Sequence, residues 1–202
     1  MAYASYMFGY GSLLSRHSRV HHSGIHEDVI PATLTGWERL WAARYPDEGA
    51  TYSAAERCAG SQLGGVLLPT EVTDELIERE RFYDIVEIDR QSLSFRGEHA
   101  GSIAGTAKIW ICANREVNFS TNEFPLPQTY IDTCLVGCFE AGGRAFAREF
   151  VRETSGWDHC WLNDRGDHAI YPRNTPTDAA MEATVDELLE EAGVLYKRQS
   201  LR

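Results

Sequence analysis

The 202-residue chain has no apolar run approaching the roughly 20 residues that a membrane-spanning helix needs. It opens without the charged leader and apolar core of a secretion signal, so a soluble, cytoplasmic protein is expected. Basic residues are scarce: 19 Lys and Arg stand against 30 Asp and Glu, a formal net charge of −11. A field of that sign repels polyanions, so nucleic acid is not an expected partner. The five cysteines (Cys58, Cys112, Cys134, Cys138, Cys160) are odd in number and form no C-x-x-C pair. That argues against a disulfide framework, a zinc knuckle and a dithiol redox centre. There is no Walker loop, no G-x-G-x-x-G, no internal repeat, no low-complexity stretch and no linker rich in Pro, Ser or Gly. One globular domain over residues 1–202 is therefore expected, and 43% hydrophobic content is enough to give it a core.

What the chain does have begins near its start. Residues 7–14 read Met-Phe-Gly-Tyr-Gly-Ser-Leu-Leu. Met7 and Phe8 read as the end of a buried strand, Gly9 and Gly11 bracket Tyr10, and Ser12 stands where a following helix needs an N-cap. A strand, a tight turn and a helix start aim backbone N–H groups and a helix dipole at one spot, which suits a carboxylate or phosphate. The alternative is a tight turn and nothing more.

Further along, His17, His21, His22 and His26 form two i, i+4 pairs that could share a helix face and hold a metal. Gly24 interrupts a helix there and no H-E-x-x-H pattern accompanies them, so a polar connection is the better reading. Residues 29–44 are rich in β-branched and aromatic residues and predict a strand bent at Gly36, with Trp37 and Trp41 in the core. Residues 45–49 predict a turn, and 51–57 and 62–68 two more strands separated by 58–61 and stopped by Pro69. Thr73 caps a predicted short helix, with Asp74 and Glu75 in its first turn and Leu76 and Ile77 facing inward. Residues 78–88 join a charged helix end to an alternating strand. Residues 101–112 alternate cleanly, with Ile103, Gly105, Ala107, Ile109 and Ile111 on one face, and predict a strand. Pro125 to Pro127 opens a helix whose stripes are Ile131, Leu135, Phe139 and Tyr130, Cys134, Cys138, ended by Gly142 and Gly143. A second helix is predicted over 144–153. Residues 156–173 mix aromatic and polar side chains that could wall a pocket, cover a sheet edge or pair subunits, with an ion pair between Asp164 and Arg165 pinning a turn. An acidic helix is predicted around 186–192.

The run Phe8-Gly9-Tyr10-Gly11-Ser12-Leu13 resembles the signature turn of the γ-glutamylcyclotransferase-like superfamily, which includes the ChaC-type and AIG2-like proteins. Two further stretches agree in order. Arg79-Glu80-Arg81-Phe82-Tyr83 resembles the Arg-Glu-x-x-Tyr pattern that carries the family's catalytic glutamate, and the Pro-x-x-Tyr helix start at Tyr130 resembles one whose tyrosine points into the active site. The strand carrying Arg39 is similar to the family's second strand. The resemblance covers about residues 6–155 and leaves 156–202 as an extension. It implies an α+β fold, a small, strongly curved or barrel-like mixed sheet with flanking helices. It also implies that Gly9, Tyr10, Gly11, Ser12 and Leu13 grip a γ-glutamyl group, that Glu80 is catalytic (Glu78 if the register is off by two), and that Tyr83 and Tyr130 line the site.

The chemistry can be argued without the name. The α-amine of a γ-glutamyl compound can close onto its own γ-carbonyl to give 5-oxoproline, but at neutral pH it is an ammonium and cannot attack. One carboxylate can take a proton from it and return one to the departing amine. Burial beside Phe82 and Tyr83 raises such a carboxylate's pKa toward the working range. The expected activity is cofactor-independent release of 5-oxoproline from a small γ-glutamyl peptide or amine, glutathione among them. The alternative is a non-catalytic small-molecule-binding or interaction domain on the same fold.

Overall fold

Two segments dense in β-branched and aromatic residues become the longest strands, and the sheet is built outward from them. The computed structural model describes residues 3–71, 77–78, 80–96, 103–167 and 169–200. Its strands and helices in chain order begin with β1 (Ser5–Gly9), α1 (Arg16–Ser23), β2 (Ile30–Tyr45), β3 (Ala50–Pro69), β4 (Tyr83–Glu87), β5 (Leu93–Phe95) and β6 (Lys108–Asn114). They continue with β7 (Leu126–Pro127), α2 (Gln128–Arg152), β8 (Thr154–Ser155), β9 (Trp161–Asn163), α3 (Ala179–Glu191) and β10 (Gln199–Ser200). The main sheet has the order β4-β6-β1-β3-β2-β5, with β8 added beside β2. It is mixed: β1 runs parallel to β6 and β2 parallel to β8, while the other neighbours are antiparallel. A smaller parallel sheet has the order β10-β9-β7. The expected α+β fold with a curved mixed sheet and flanking helices is thus the observed one.

The curvature has a local cause. Opposite β2, the pairing steps from Thr35↔Gln62 to Trp37↔Arg57, so residues 58–61 bulge out against Gly36, which has φ 84°. Such a bulge bends a strand and deepens its twist. The two strands expected over 51–57 and 62–68 are therefore one strand, β3, because the bulge interrupts the ladder without ending the extended chain.

Several other expectations change. Residues 16–23 form a helix rather than a connection: Gly24, at φ 63°, closes α1 as a left-handed C-cap instead of breaking it. Its N-cap is Ser15, whose hydroxyl accepts from the Ser18 N–H at 3.3 Å; Ser12 instead begins a one-turn 3-10 segment whose cap is Gly11. His17 and His21 do stack on this helix, with ring centroids 4.3 Å apart, and His26 lies beyond it. No group of three potential metal ligands occurs among the described residues. The strand expected from residue 101 starts only at Lys108, and Gly105 is exposed. Arg90 explains the difference, since its Nη1 donates to the carbonyls of Ile103 and Ala104 at 3.0 Å each and withdraws them from a ladder. The helix expected from Thr73 falls mostly outside the described residues, and Ile77 is 48% exposed rather than inward.

The first eleven residues of helix α2 are all buried, so both predicted stripes reach the core there, and Phe139 packs partly buried against it. Gly142 and Gly143 interrupt it with non-helical backbone, as their pairing predicted. Gly137 marks the closest approach to the rest of the chain: a Cβ there would sit 2.2 Å from the carbonyl carbon of Leu14. No larger residue lets α2 lie directly on the segment that follows β1.

The C-terminal segment is tied to α2 by charge. Asp164 and Arg165 do not pair with each other. Buried Asp164 accepts from the Thr129 N–H, the Thr129 hydroxyl and the Ile170 N–H at 2.6–2.8 Å, occupying the start of α2. Arg165 binds Asp132 through Nε and Nη2 at 2.8 and 2.7 Å and Asp186 through Nη1 at 2.9 Å. Arg198 grips the same Asp186 at 2.8 Å through both of its terminal nitrogens. Helix α3 extends from Ala179, well before the acidic cluster, because Asp178 caps it by accepting the Met181 N–H at 2.8 Å. Among the described residues no helix is long and apolar enough to cross a membrane.

Candidate active site

The turn after β1 is shaped from behind by two buried arginines. Arg39, on β2 and fully excluded from solvent, donates from Nε to the Tyr10 carbonyl at 2.9 Å and from Nη1 to the Phe150 carbonyl at 3.3 Å. It also donates to the Thr154 hydroxyl at 3.2 Å and to the Gly64 carbonyl, while its guanidinium lies 3.8 Å above the Phe150 ring. Burial lowers its pKa, the cost of holding a cation among neutral oxygens. Arg19 of α1 donates to the carbonyls of Leu13 and Leu14 at 3.0 and 2.5 Å. The Leu14 N–H closes the 3-10 turn on the Gly11 carbonyl at 2.9 Å. With the carbonyls engaged behind the turn, the N–H groups of Ser12 and Leu13 precede its first internal bond and have no partner within it.

Residues 9–13 form one wall of a cavity that Glu80, Tyr83 and Tyr130 also line. All eight residues singled out from the sequence therefore meet at one place. Glu80 sits in the turn before β4, where its carbonyl accepts the Tyr83 N–H at 2.8 Å. Next to it Arg81 is pinned to Asp47 at 2.6 Å. Glu78, the other register, is 78% exposed, lies 3.7 Å from Arg81 Nη1, and does not line the cavity. Among the described residues lining the cavity, Glu80 is the sole carboxylate. Arg79 of the motif is outside the described residues.

The tyrosines hold the walls. Tyr10 donates its hydroxyl to the Cys112 carbonyl at 2.6 Å, and Tyr83 donates to the Ser53 carbonyl at 2.7 Å. The hydroxyls of Tyr130 and Ser53 are 2.6 Å apart, and Tyr130 also accepts the Ser53 N–H at 3.3 Å. This pair carries two hydroxyl hydrogens and uses one between them, so one remains to donate outward. Gly11 is glycine because of the same pair: a Cβ there would lie 2.3 Å from Ser53 Oγ and 2.6 Å from Tyr130 Oη. Burial pushes the phenols of Tyr10, Tyr83 and Tyr130 well above their usual range, and the nearby Glu80 charge adds to the effect at Tyr10 and Tyr83. They remain protonated and act as donors.

Sequence reasoning missed Ser53, Tyr52, Tyr45 and Cys112, which also line the cavity, as do Tyr171 and Arg173 of the segment whose role it left open. Tyr52 and Ser53 are consecutive on β3, where their alternation signalled only a strand. Of residues 156–173, Tyr171 and Arg173 line the cavity; the Tyr171 ring centroid is 4.9 Å from Tyr130 and 5.1 Å from Tyr52. Cys112 is buried, and among the described residues lining the cavity there is no histidine, the usual base of a nucleophilic cysteine.

Comparison of the sequence with family models returns no match, and comparison with curated proteins returns none either. Solved structures do match. One described as a γ-glutamyl cyclotransferase superposes with a TM-score of 0.50 at 12% identity, covering 91% of this chain and 98% of its own. YkqA from Bacillus subtilis superposes with a TM-score of 0.51 at 18% identity, covering 73% of this chain and 53% of its own. At such identities the likeness speaks for architecture alone, an α+β fold built on a large mixed sheet. The chain has the γ-glutamylcyclotransferase-like fold.

Proposed function

We propose that the cavity binds the γ-glutamyl group of a small peptide or amine and cyclises it to 5-oxoproline. The observation that carries this reading is that Glu80 is the sole carboxylate among the described residues of a cavity it shares with the Gly9–Leu13 turn. The substrate's α-ammonium gives a proton to the Glu80 carboxylate. The freed amine attacks the γ-carbonyl carbon, a C–N bond forms, and the carbonyl oxygen becomes an oxyanion. Hydrogen-bond donors already in place lower the energy of that charge without reorganising; that the Ser53–Tyr130 pair and the turn line the same cavity as Glu80 supports assigning them this role. Collapse breaks the original amide bond as the departing amine takes the proton held by Glu80; the ring nitrogen, still carrying two hydrogens, gives one to the freed carboxylate, which passes it to the released amine, so the products are the neutral lactam and an ammonium. Atoms balance with no water and no external reductant or oxidant, and holding the substrate folded supplies much of the acceleration.

The test is 5-oxoproline release from a panel of γ-glutamyl compounds by wild type, Glu80→Gln and Glu78→Gln proteins. Loss of a general acid–base group costs roughly 10²- to 10⁴-fold, so Glu80→Gln should lower kcat/KM by that factor while Glu78→Gln stays near wild type. No release from any compound by the folded wild type would instead support the non-catalytic binding role.

A further inference from the structure

Arg173 is the one cation lining the cavity among the described residues, and it comes from the C-terminal segment rather than from the part of the chain carrying the glycine turn. Its outer edge is occupied: Nη1 and Nη2 meet Glu48 Oε1 and Oε2 at 2.9 and 3.3 Å. Glu48 is fixed in turn by the Tyr52 hydroxyl, which donates to Oε2 at 2.6 Å. Beneath the guanidinium lies the Tyr171 ring, 5.2 Å from its carbon. The head of Arg173 is thus held in one place. Yet Nε is buried and has no hydrogen-bond partner among the described residues. A guanidinium can present two forks to carboxylates, one across its two terminal nitrogens and one along Nε and its neighbour. Glu48 fills the first; the Tyr171 hydroxyl also reaches the guanidinium, but among the described residues Nε keeps no partner of its own. A buried donor without an acceptor is costly, so a group that supplies the acceptor on entering the cavity gains more than one meeting a donor already satisfied.

We propose that Arg173 is a specificity-determining residue that receives a carboxylate of the bound ligand on the Nε side of its guanidinium. This deepens, and rests on, the reading of the cavity as a γ-glutamyl site. A zwitterionic ligand then meets opposite charge at both ends, its ammonium at Glu80 and its carboxylate at Arg173. Two carboxylates of a γ-glutamyl compound could fill the position: the α-carboxylate of the glutamyl group, or one borne by the leaving amine. Because Glu48 offsets the net charge of Arg173, directional N–H bonds rather than long-range attraction do the selecting, and lysine cannot replace them.

The experiment is calorimetric binding, scored separately from turnover. 5-Oxoproline and 5-oxoprolinamide are titrated into wild type, Arg173→Gln and Arg173→Lys proteins. γ-Glutamyl compounds with and without a carboxylate on the leaving amine are titrated into the Glu80→Gln protein with and without Arg173→Gln. Thermal melting screens each variant for folding, and Arg173→Lys, which keeps the charge beside Glu48, serves if Arg173→Gln does not fold. A charge-assisted hydrogen bond predicts about 10- to 100-fold tighter wild-type binding of the carboxylate ligand than of its neutral counterpart, lost in both Arg173 variants. Loss of discrimination between 5-oxoproline and its amide assigns the α-carboxylate; loss confined to the γ-glutamyl series assigns the leaving amine. If folded variants discriminate as well as wild type, or if wild type binds no carboxylate of the panel, the proposal is overturned. Ligands that bind through Arg173 but are never cyclised would sink the catalytic reading and leave the role of Arg173 standing.

Discussion

The two walls of the cavity are built by opposite means. The first is backbone: a turn whose carbonyls are held by Arg39 and Arg19, with α2 pressed against it at Gly137. The second is side chain: Tyr171 and Arg173, on a segment anchored by Asp164 and by ion pairs among Asp132, Arg165, Asp186 and Arg198. A backbone wall constrains almost any side chain near it, so its geometry survives changes of sequence that keep the glycines and the buried clamp. A side-chain wall can be retuned by single substitutions. The arrangement therefore separates a part suited to fixed chemistry from a part suited to choosing among ligands.

The sharpest way to break this contrast is Arg39→Met. It removes the arginine's donors from the carbonyls of Tyr10 and Gly64, while the Phe150 carbonyl keeps the Thr154 hydroxyl, and at about 1 kcal/mol or more for each group left unpaired it should cost about 2 kcal/mol of stability. Urea unfolding at unchanged m-value measures this, and activity should fall with it. A variant as stable and active as wild type would show that the turn needs no support from behind. Similar in size is Asp164→Ala, which removes the acceptor of two backbone N–H groups and a hydroxyl and should cost about 2 kcal/mol. It loosens the second wall and its joint with the start of α2, so KM should rise by more than kcat falls. A fall in kcat with KM constant would erase the distinction between the walls.

The smallest expected effect is a response to acid. Although burial opposes it, Arg198 and Arg165 hold the Asp186 carboxyl below its usual range. A carboxyl with a lowered folded-state pKa contributes stability that is present above its unfolded value, about 3.9, and lost as pH falls through the folded value. Asp132 acts in the other direction, because burial raises it despite Arg165. With Asp186 partly exposed the net change should stay under about 1 kcal/mol. Hydrogen exchange between pH 6 and 3 should show protection falling in residues 156–200 before it falls around the turn. Loss in the reverse order would contradict the assignment of the softer wall.

What could be read from the sequence follows from the same division. Gly9 and Gly11 announce themselves because a backbone-defined turn needs small residues at fixed places. Glu80 and Tyr83 were legible as near neighbours in one motif, and Tyr130 stood at a helix start. Ser53 and Tyr52 were hidden because an alternating strand residue looks the same whether it faces core or cavity, and only long-range pairing decides. Arg173 belongs to a segment without periodicity, and its meaning comes from Glu48, far away in the chain. Errors of extent have particular causes too: Gly24 was read as a breaker when it is a cap, and the strand over 101–112 starts late because Arg90 takes two of its carbonyls.

One consequence concerns the time at which the cavity comes into being. Its linings run from Met7 to Arg173, so the first wall leaves the ribosome long before the last. At typical synthesis rates that interval is on the order of 10 to 30 s. Strand β1 must meanwhile wait for β6, its parallel partner, and pairing over such sequence distance is intrinsically slow. The long β2–β3 hairpin is the element that can form from local contacts, while the aromatic side chains of the unfinished cavity stay uncovered. A nascent chain therefore lacks one wall of the cavity until Arg173 has been made, and a truncation before Tyr171 yields a cavity open on one side.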